Sequence, residues 1–314
     1  MGRVLVLGSS NTDLVLTTDH LPTEGQTVLG RQFFKAAGGK GANQAVAAAR
    51  TGAQVVFVGA VGTDEYGNDS LSGLSREGID VQFVKQVAGI PSGVAMIMVD
   101  RQGRNLIGVA AGANSCVDEE LINSLPETLF TQADVVVAQL EIPRNAVRAA
   151  FERARRSGAT TLLNPAPIDR CILDEQLLTL VDILVLNEPE ALALCSCSIE
   201  AAQDWNQVID TLLTKGPRAV ILTRGKDGYL LGMNDERVSA SSYPVRAVDT
   251  VGAGDTFVGV LAARMAEDDS LFESARWANA AAALSVTQSG AQPSIPHREA
   301  IHALMINDGP DGTP

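Results

Sequence analysis

Two aspartates bracket a run of small residues in Asp249-Thr-Val-Gly252-Ala253-Gly254-Asp255-Thr-Phe, where the pattern turns helical. A helix N-terminus leaves several backbone N–H groups without partners and carries the positive end of the helix dipole. Glycines let those groups approach an anion closely. Gly252, Ala253 and Gly254 are therefore a candidate anion hole. A carboxylate at 255 is set to take a proton from an attacking hydroxyl while the N–H groups hold charge on a phosphoryl group. The plainer reading, in which Asp255 only caps a helix, fits the same residues.

A second stretch of this kind is Ala36-Ala-Gly-Gly39-Lys40-Gly41-Ala42-Asn43-Gln, with three glycines, a lysine and an asparagine ahead of a helix. A tight strand-to-helix turn needing positive φ fits it as well. It lacks the spacing of a Walker loop, and Gly8 is followed by Ser-Ser-Asn-Thr-Asp where a dinucleotide-binding turn needs Gly-x-Gly-x-x-Gly. Asn11 and Asp13 are read at the end of the first strand, where ligands sit in open α/β sheets; an Asx turn is the alternative. Glu141, in Gln-Leu-Glu-Ile-Pro, is a carboxylate beyond another strand end. Asn187 and Glu190 have the spacing of a capping box.

Short apolar strands alternating with helices must position these residues. Strands are expected at Val4–Leu7, Val55–Val58, Val135–Ala138, Thr160–Leu163, Ile183–Leu186 and Ala219–Thr223. Helices are expected at Ala42–Thr51, Gly67–Glu77, Arg144–Ser157, Glu188–Cys195, Ala201–Thr214, Asp255–Met265 and Leu271–Thr287. That alternation predicts an α/β fold with a mostly parallel sheet covered on both faces. Extended pieces at Leu14–Thr18 and Thr27–Lys35, and a hairpin of Gly93–Val99 with Asn105–Val109, break the rhythm. They predict a small β-sheet lid from 13–36 and 93–110, set on a body of 1–12, 37–92 and 111–306. A flexible tail is expected over 307–314.

The 314 residues, 46% hydrophobic, are enough for a large core. A net charge of −13 argues against nucleic acid and anionic membranes as partners. No run approaches the roughly 18 apolar residues of a membrane span, and the N-terminus reads as a strand. The four cysteines, Cys116, Cys171, Cys195 and Cys197, fit no zinc spacing and are read as reduced thiols of a cytoplasmic protein. The three histidines sit in no motif, which argues against histidine-based nucleophilic catalysis.

GGKGANQAVAAA at 38–49 and DTVGAGDTF at 249–257 resemble the two signature regions of the ribokinase (phosphofructokinase-B-like) carbohydrate kinase family. AGAN at 111–114, LNPAP at 163–167, NEPE at 187–190 and GAQPS at 290–294 extend the resemblance from Val4 to about Ala303. It implies ATP-dependent phosphorylation of D-ribose at the 5-hydroxyl, with Asp255 as base and Gly252, Ala253 and Gly254 as anion hole. It implies sugar contacts from Asn11, Thr12, Asp13, Gly39, Lys40, Gly41, Ala42, Asn43 and Glu141. Asn187 and Glu190 would organise Mg2+ and the ATP phosphates. The loop Thr223, Arg224, Gly225, Lys226, Asp227 and Gly228 would hold nucleotide, with Asn279 near adenine. Asp249, Val251, Ser285, Gln288, Gly290 and Ser294 would surround K+, several through carbonyls. A homodimer through the lid is expected, because an open apolar sheet face needs cover. Kinases of deoxyribose, fructose or adenosine are the near alternatives, and a non-catalytic sugar sensor is the distant one.

Overall fold

The computed structural model describes residues 1–168, 175–195 and 204–307. Cys171, Cys197, the first residues of the helix expected over 201–214 and the tail after Asn307 lie outside them. The chain opens with β1 (Arg3–Leu7), β2 (Asn11–Thr18), β3 (Gly30–Gly38), α1 (Lys40–Thr51), β4 (Gln54–Gly62), α2 (Glu65–Arg76), β5 (Asp80–Val87), β6 (Gly93–Val99) and β7 (Asn105–Ala110). A 3-10 turn at Gly112–Cys116 leads to α3 (Glu119–Ser124), α4 (Glu127–Thr131), β8 (Val135–Ala138), α5 (Arg144–Ser157), β9 (Thr160–Leu163) and α6 (Glu175–Leu178). Then follow β10 (Ile183–Asn187), α7 (Glu188–Cys195), α8 (Trp205–Leu213), β11 (Ala219–Thr223), β12 (Tyr229–Met233) and β13 (Glu236–Ala240). The last elements are α9 (Ala253–Met265), α10 (Leu271–Ser285), α11 (Ala291–Ser294) and α12 (Arg298–Asn307).

Nine strands form the main sheet in the order β13-β12-β11-β10-β9-β8-β1-β4-β5. From β5 to β11 every pairing is parallel, and β12 and β13 add an antiparallel edge. Alternation along each strand feeds two cores, one on each face. Val4, Val6, Val135 and Val137 join α1, α9 and α10 on one side. Leu5, Leu7, Val136 and Ala138 join α5 and α8 on the other. The purely apolar strands legible in the sequence are apolar because both faces are covered.

The small sheet has the order β3-β2-β6-β7. β2 pairs antiparallel with β3 and parallel with β6, and β6 pairs antiparallel with β7. Large apolar side chains stay exposed on it: Phe33, Phe34, Met96, Leu106, Ile107 and Val109.

Three strands carry no clear sequence signal: β5, β12 and β13. β5 mixes Asp80, Gln82, Lys85 and Gln86 with its apolar residues, as an edge strand can. β12 and β13 make the turn after Thr223 the link of an antiparallel pair, with Thr223 opposite Tyr229. The first expected helices also shift by a turn or less, with α2 starting at Glu65 behind an Asp64 cap.

Candidate active site

Asp255 lies in the first turn of α9 and is 7% exposed. Its carboxylate is held at both oxygens. Nδ2 of Asn43 donates to Oδ2 at 2.9 Å, and Nε2 of Gln44 donates to Oδ1 at 3.1 Å. Close helix packing makes this reach possible. A side chain at Gly259 of α9 would run into the Gln44 carbonyl and Ala47, so the glycine lets α1 and α9 meet backbone to backbone. The alanines of α1 serve the same approach.

Gln44 is itself fixed. Its Oε1 accepts from Nε2 of Gln139 at 2.5 Å, and its Nε2 also donates to Oδ1 of Asn164 at 3.2 Å. Asn164 in turn donates to the Val185 carbonyl at 3.0 Å. A buried amide with every partner in place is rigid. Two acceptors in this region stay unpaired, Oδ1 of Asn43 and Oε1 of Gln139. Buried acceptors without donors are costly, and the Asn43 oxygen suits a ligand hydroxyl.

Gly252 begins α9 with φ of 78°, in the left-handed region where glycine carries no penalty. Among the described residues, the N–H groups of Gly252, Gly254 and Asp255 have no hydrogen-bond partner, whereas Ala253 N–H donates to the Thr250 carbonyl at 3.3 Å. The free donors of this helix end are thus the two glycines and Asp255 itself.

Asn11 and Asp13 do not end the first strand. β1 stops at Leu7, Gly8-Ser9-Ser10 crosses to the small sheet, and both residues lie in β2, paired with β3 and β6. The correction has a clear cause: their backbone groups join a new ladder after the crossing. Asn11 and Asp13, two apart, share one face of that strand. Asp13 packs its carboxylate against Gly38, where a side chain would collide with it. Burial, with Glu141 and Asp255 nearby, pushes Asp13 up to about 6 from an ordinary 3.8.

Glu141 stands three residues beyond β8. Its Oε2 accepts from Ser9 Oγ at 2.5 Å and from the Lys40 N–H at 3.1 Å. The Leu140 N–H donates to the Ala166 carbonyl at 3.0 Å, hooking this loop to the one after β9. Gly39, with φ of 91°, precedes α1, and Gly41 lies against the backbone of Gly8 and Ser9, leaving no room for a side chain. Ala42 N–H donates to the Ser9 carbonyl at 2.9 Å. The Lys40 ammonium is held above the usual lysine range by Asp255 first, with burial opposing and Glu141 and Glu190 adding to it. Lys40 therefore faces acids of both the Asp13–Glu141 side and the Glu190 side. Thr12 points to the opposite face of β2 from Asn11 and Asp13.

Asn187 and Glu190 form a reciprocal capping box. Asn187 N–H donates to Glu190 Oε2 and Glu190 N–H donates to Asn187 Oδ1, each at 2.9 Å. Burial pushes Glu190 above the usual carboxylate range, with Lys40 pulling the other way and Asp255 adding to the rise. Oxygens of the Asn187 and Glu190 side chains are of the type Mg2+ takes, partly through water. Thr223 donates to the Leu186 carbonyl at 3.3 Å, and Arg224 pairs with Glu188 at 3.4 Å, so the 223–228 turn adjoins the capping box.

Gly225, Lys226 and Asp227 are exposed in a 3-10 turn, and Gly228 (φ 83°) packs against the backbone of Ala240–Ser242. Asn279 is not on an exposed helix face. It is buried on α10 and donates to the Ser241 carbonyl at 2.8 Å, which brings it to the same strip of chain. Asp249 ties two loops: Val251 N–H donates to Oδ1 at 3.0 Å and Gly290 N–H to Oδ2 at 2.9 Å. The Asp249 N–H donates to Val286, and Gln288 N–H to Ser285, so the C-terminal end of α10 joins them. Ser294 is buried nearby in α11. These bonds bring the loops that carry Asp249, Val251, Ser285, Gln288 and Gly290 together. Among the described residues no group of three or more His, Cys, Asp or Glu could hold a metal by side chains alone.

Sequence reasoning gave no role to Ser9, Gln44, Gln139 or Asn164. Each lies inside a quoted stretch, but the signal lay in contacts that only the fold creates.

The sequence pattern of the pfkB family carbohydrate kinases matches residues 1–298. A ribokinase of Haemophilus influenzae is 38% identical over 294 residues, covering 94% of this chain and 95% of its own. A deoxyribokinase of Salmonella typhi is 35% identical over 306 residues, covering 97% and 99%. The crystal structure of a Thermotoga maritima ribokinase superposes with TM-score 0.88 at 33% identity, covering 98% of this chain and 100% of that one. An Arabidopsis thaliana ribokinase complexed with ribose and ATP superposes with TM-score 0.85 at 30% identity, covering 97% and 98%.

Proposed function

Because the chain belongs to the pfkB family of carbohydrate kinases, we propose that it phosphorylates D-ribose on the 5-hydroxyl with ATP, giving D-ribose 5-phosphate and ADP. The observation that carries this reading is Asp255, a buried carboxylate gripped at both oxygens beside unpartnered helix-end N–H groups. The sugar lies between Asn11 and Asp13 of the small sheet and Asn43, Glu141 and Asp255 of the body. Asp13 and Glu141 accept from hydroxyls, and the unpaired Asn43 oxygen accepts another.

Asp255 takes the proton of the 5-hydroxyl as its oxygen attacks the γ-phosphorus; the bond from that phosphorus to the bridging oxygen breaks and ADP leaves. The N–H groups of Gly252, Gly254 and Asp255 hold the charge on the transferring group. The grip of Asn43 and Gln44 matters because it fixes the oxygen toward the hydroxyl before reaction. Lys40, set among acids of both half-sites, is placed to follow charge as it moves from nucleotide to sugar.

ATP lies along the 223–228 turn, the Ser241 strip and Asn279, with its phosphates toward the α9 end. Mg2+, when bound with ATP, would neutralise charge on the phosphoryl oxygens, and Asn187 and Glu190 would hold it. K+ would lie among Asp249, Val251, Ser285, Gln288, Gly290 and Ser294, next to the anion hole. The small sheet, 11–18, 30–38 and 93–110, closes over the sugar and keeps water from the phosphoryl group. Copies pair through it.

The Salmonella relative supports a second reading, a deoxyribokinase. Rates of ADP formation on ribose, deoxyribose, fructose and adenosine decide between them. Highest kcat/KM on ribose supports the proposal; highest on another of the four replaces it.

A further inference from the structure

We propose that Asn114 is a positioning residue for sugar recognition: it locks the amide of Asn11 so that Nδ2, not the oxygen, is free for the sugar. Asn114 is 1% exposed and sits in the 3-10 turn where the chain returns from β7 to the body. Its Oδ1 accepts from the Ser10 N–H at 2.9 Å, and its Nδ2 donates to the Ser10 carbonyl at 3.2 Å. The side chain thus pairs with Ser10 as a neighbouring strand would. The same Nδ2 donates to Oδ1 of Asn11 at 2.8 Å.

The direction of these bonds is forced. A primary amide has one accepting oxygen and one donating nitrogen, and rotating Asn114 by half a turn would set oxygen against oxygen and N–H against N–H at Ser10. With Ser10 fixing Asn114, only a donor can face Asn11. Asn11 must then turn its oxygen to Asn114. Its Nδ2 has no hydrogen-bond partner among the described residues, and it shares the strand face of Asp13, which lies within the field of Glu141 and Asp255.

Space enforces the same choice. A side chain at Gly93 would overlap both Asn11 Oδ1 and Asn114 Nδ2, so the pair exists only beside a glycine. Ser10-Asn11, Gly93 and Asn114 all lie where the chain passes between body and small sheet. Asn114 therefore presets a sugar donor at the hinge without touching sugar.

The inference rests on Asn11 being a sugar ligand, as proposed above. The experiment measures kcat, sugar KM and ATP KM for Asn11→Ala, Asn114→Ala, Asn114→Asp and the two double variants. The sugar is the one the unaltered protein phosphorylates fastest, and absence of turnover with that protein sinks the functional reading itself. Asn114→Ala should raise sugar KM about tenfold, leave ATP KM within about twofold, and add nothing in the Asn11→Ala background. Asn114→Asp keeps the acceptor for Ser10 N–H but sets an oxygen against Asn11. It should raise sugar KM at least as far, again only when Asn11 is present, and it serves alone where the alanine variant does not fold. Equal loss with and without Asn11, or unchanged sugar KM in Asn114→Ala or Asn11→Ala, overturns the proposal.

Discussion

The side chain of Asn43 donates a 2.9 Å hydrogen bond to Asp255, joining residues 212 positions apart. It ties the glycine-rich turn at the head of α1 to the one at the head of α9. A carboxylate held this way has little freedom to lose on binding a ligand. Asp255→Asn keeps the shape and removes the proton acceptor proposed above. It should lower kcat by about 10²–10⁴ while calorimetry still detects sugar binding. Near-normal kcat would mean that another group is the base.

Gln44 should act on rate more than on sugar affinity. Gln44→Leu removes the donor to Asp255 and leaves Gln139 and Asn164 short of a partner. Unfolding measurements should show a loss of about 1–3 kcal/mol. Steady-state kinetics should show kcat falling further than sugar KM rises. The reverse ordering would make Gln44 part of sugar recognition.

Asp13 sets a pH dependence whose sign is fixed. Its pKa is about 6 folded against 3.8 ordinarily, so between these values the folded chain binds more protons than the unfolded one. The contribution of Asp13 to stability is full below 3.8 and is lost as pH rises through about 6. Asp13→Asn should therefore stabilise the ligand-free protein at pH 7 by on the order of 1 kcal/mol. Sugar binding, if Asp13 is the ligand proposed above, should run the other way, since the carboxylate is the better acceptor. Sugar KM of the unaltered protein should rise as pH drops below about 6, and a flat KM from pH 5 to pH 8, on the order of the physiological range, contradicts the assignment.

The loop tie at Asp249 should govern the cation response. Exchanging tetramethylammonium for K+ should raise kcat several-fold in the unaltered protein. Asp249→Ala frees the Val251 and Gly290 N–H groups and should abolish that gain. An undiminished K+ response in the variant removes Asp249 from the cation site.

The open face of the small sheet predicts self-association. Asn11 and Asp13 share their face with Phe34, Ile107 and Val109, which are 46%, 54% and 53% exposed. Exposed apolar sheet of this kind is rarely left bare. Sedimentation at high micromolar concentration should show a dimer, and Ile107→Lys with Val109→Lys a monomer. A monomeric unaltered protein ends the idea.

Much of the fold was legible because doubly covered parallel strands are short apolar runs, and Val135–Ala138, Thr160–Leu163 and Ala219–Thr223 have the bounds expected of them. The small sheet was legible from broken rhythm, though Asn11 was read on the wrong side of the crossing. β12 and β13 were hidden because a polar edge strand such as Glu236–Ala240 resembles a loop. The glycine-rich helix starts announced themselves locally. The amide chain from Gln139 through Gln44 to Asp255 did not, since its members lie 95 and 211 residues apart and glutamines carry no period.

Glu141, Glu190 and Asp255 act together on one ammonium, that of Lys40, and Asp13 lies in the field of two of them. A neutral sugar crosses such a field without resistance, whereas a bare polyphosphate is turned back. On the proposed function, nucleotide should therefore bind better with its charge masked by Mg2+ than bare. Raising ionic strength screens such a field, so dissolved salt should speed the entry of nucleotide more than that of sugar.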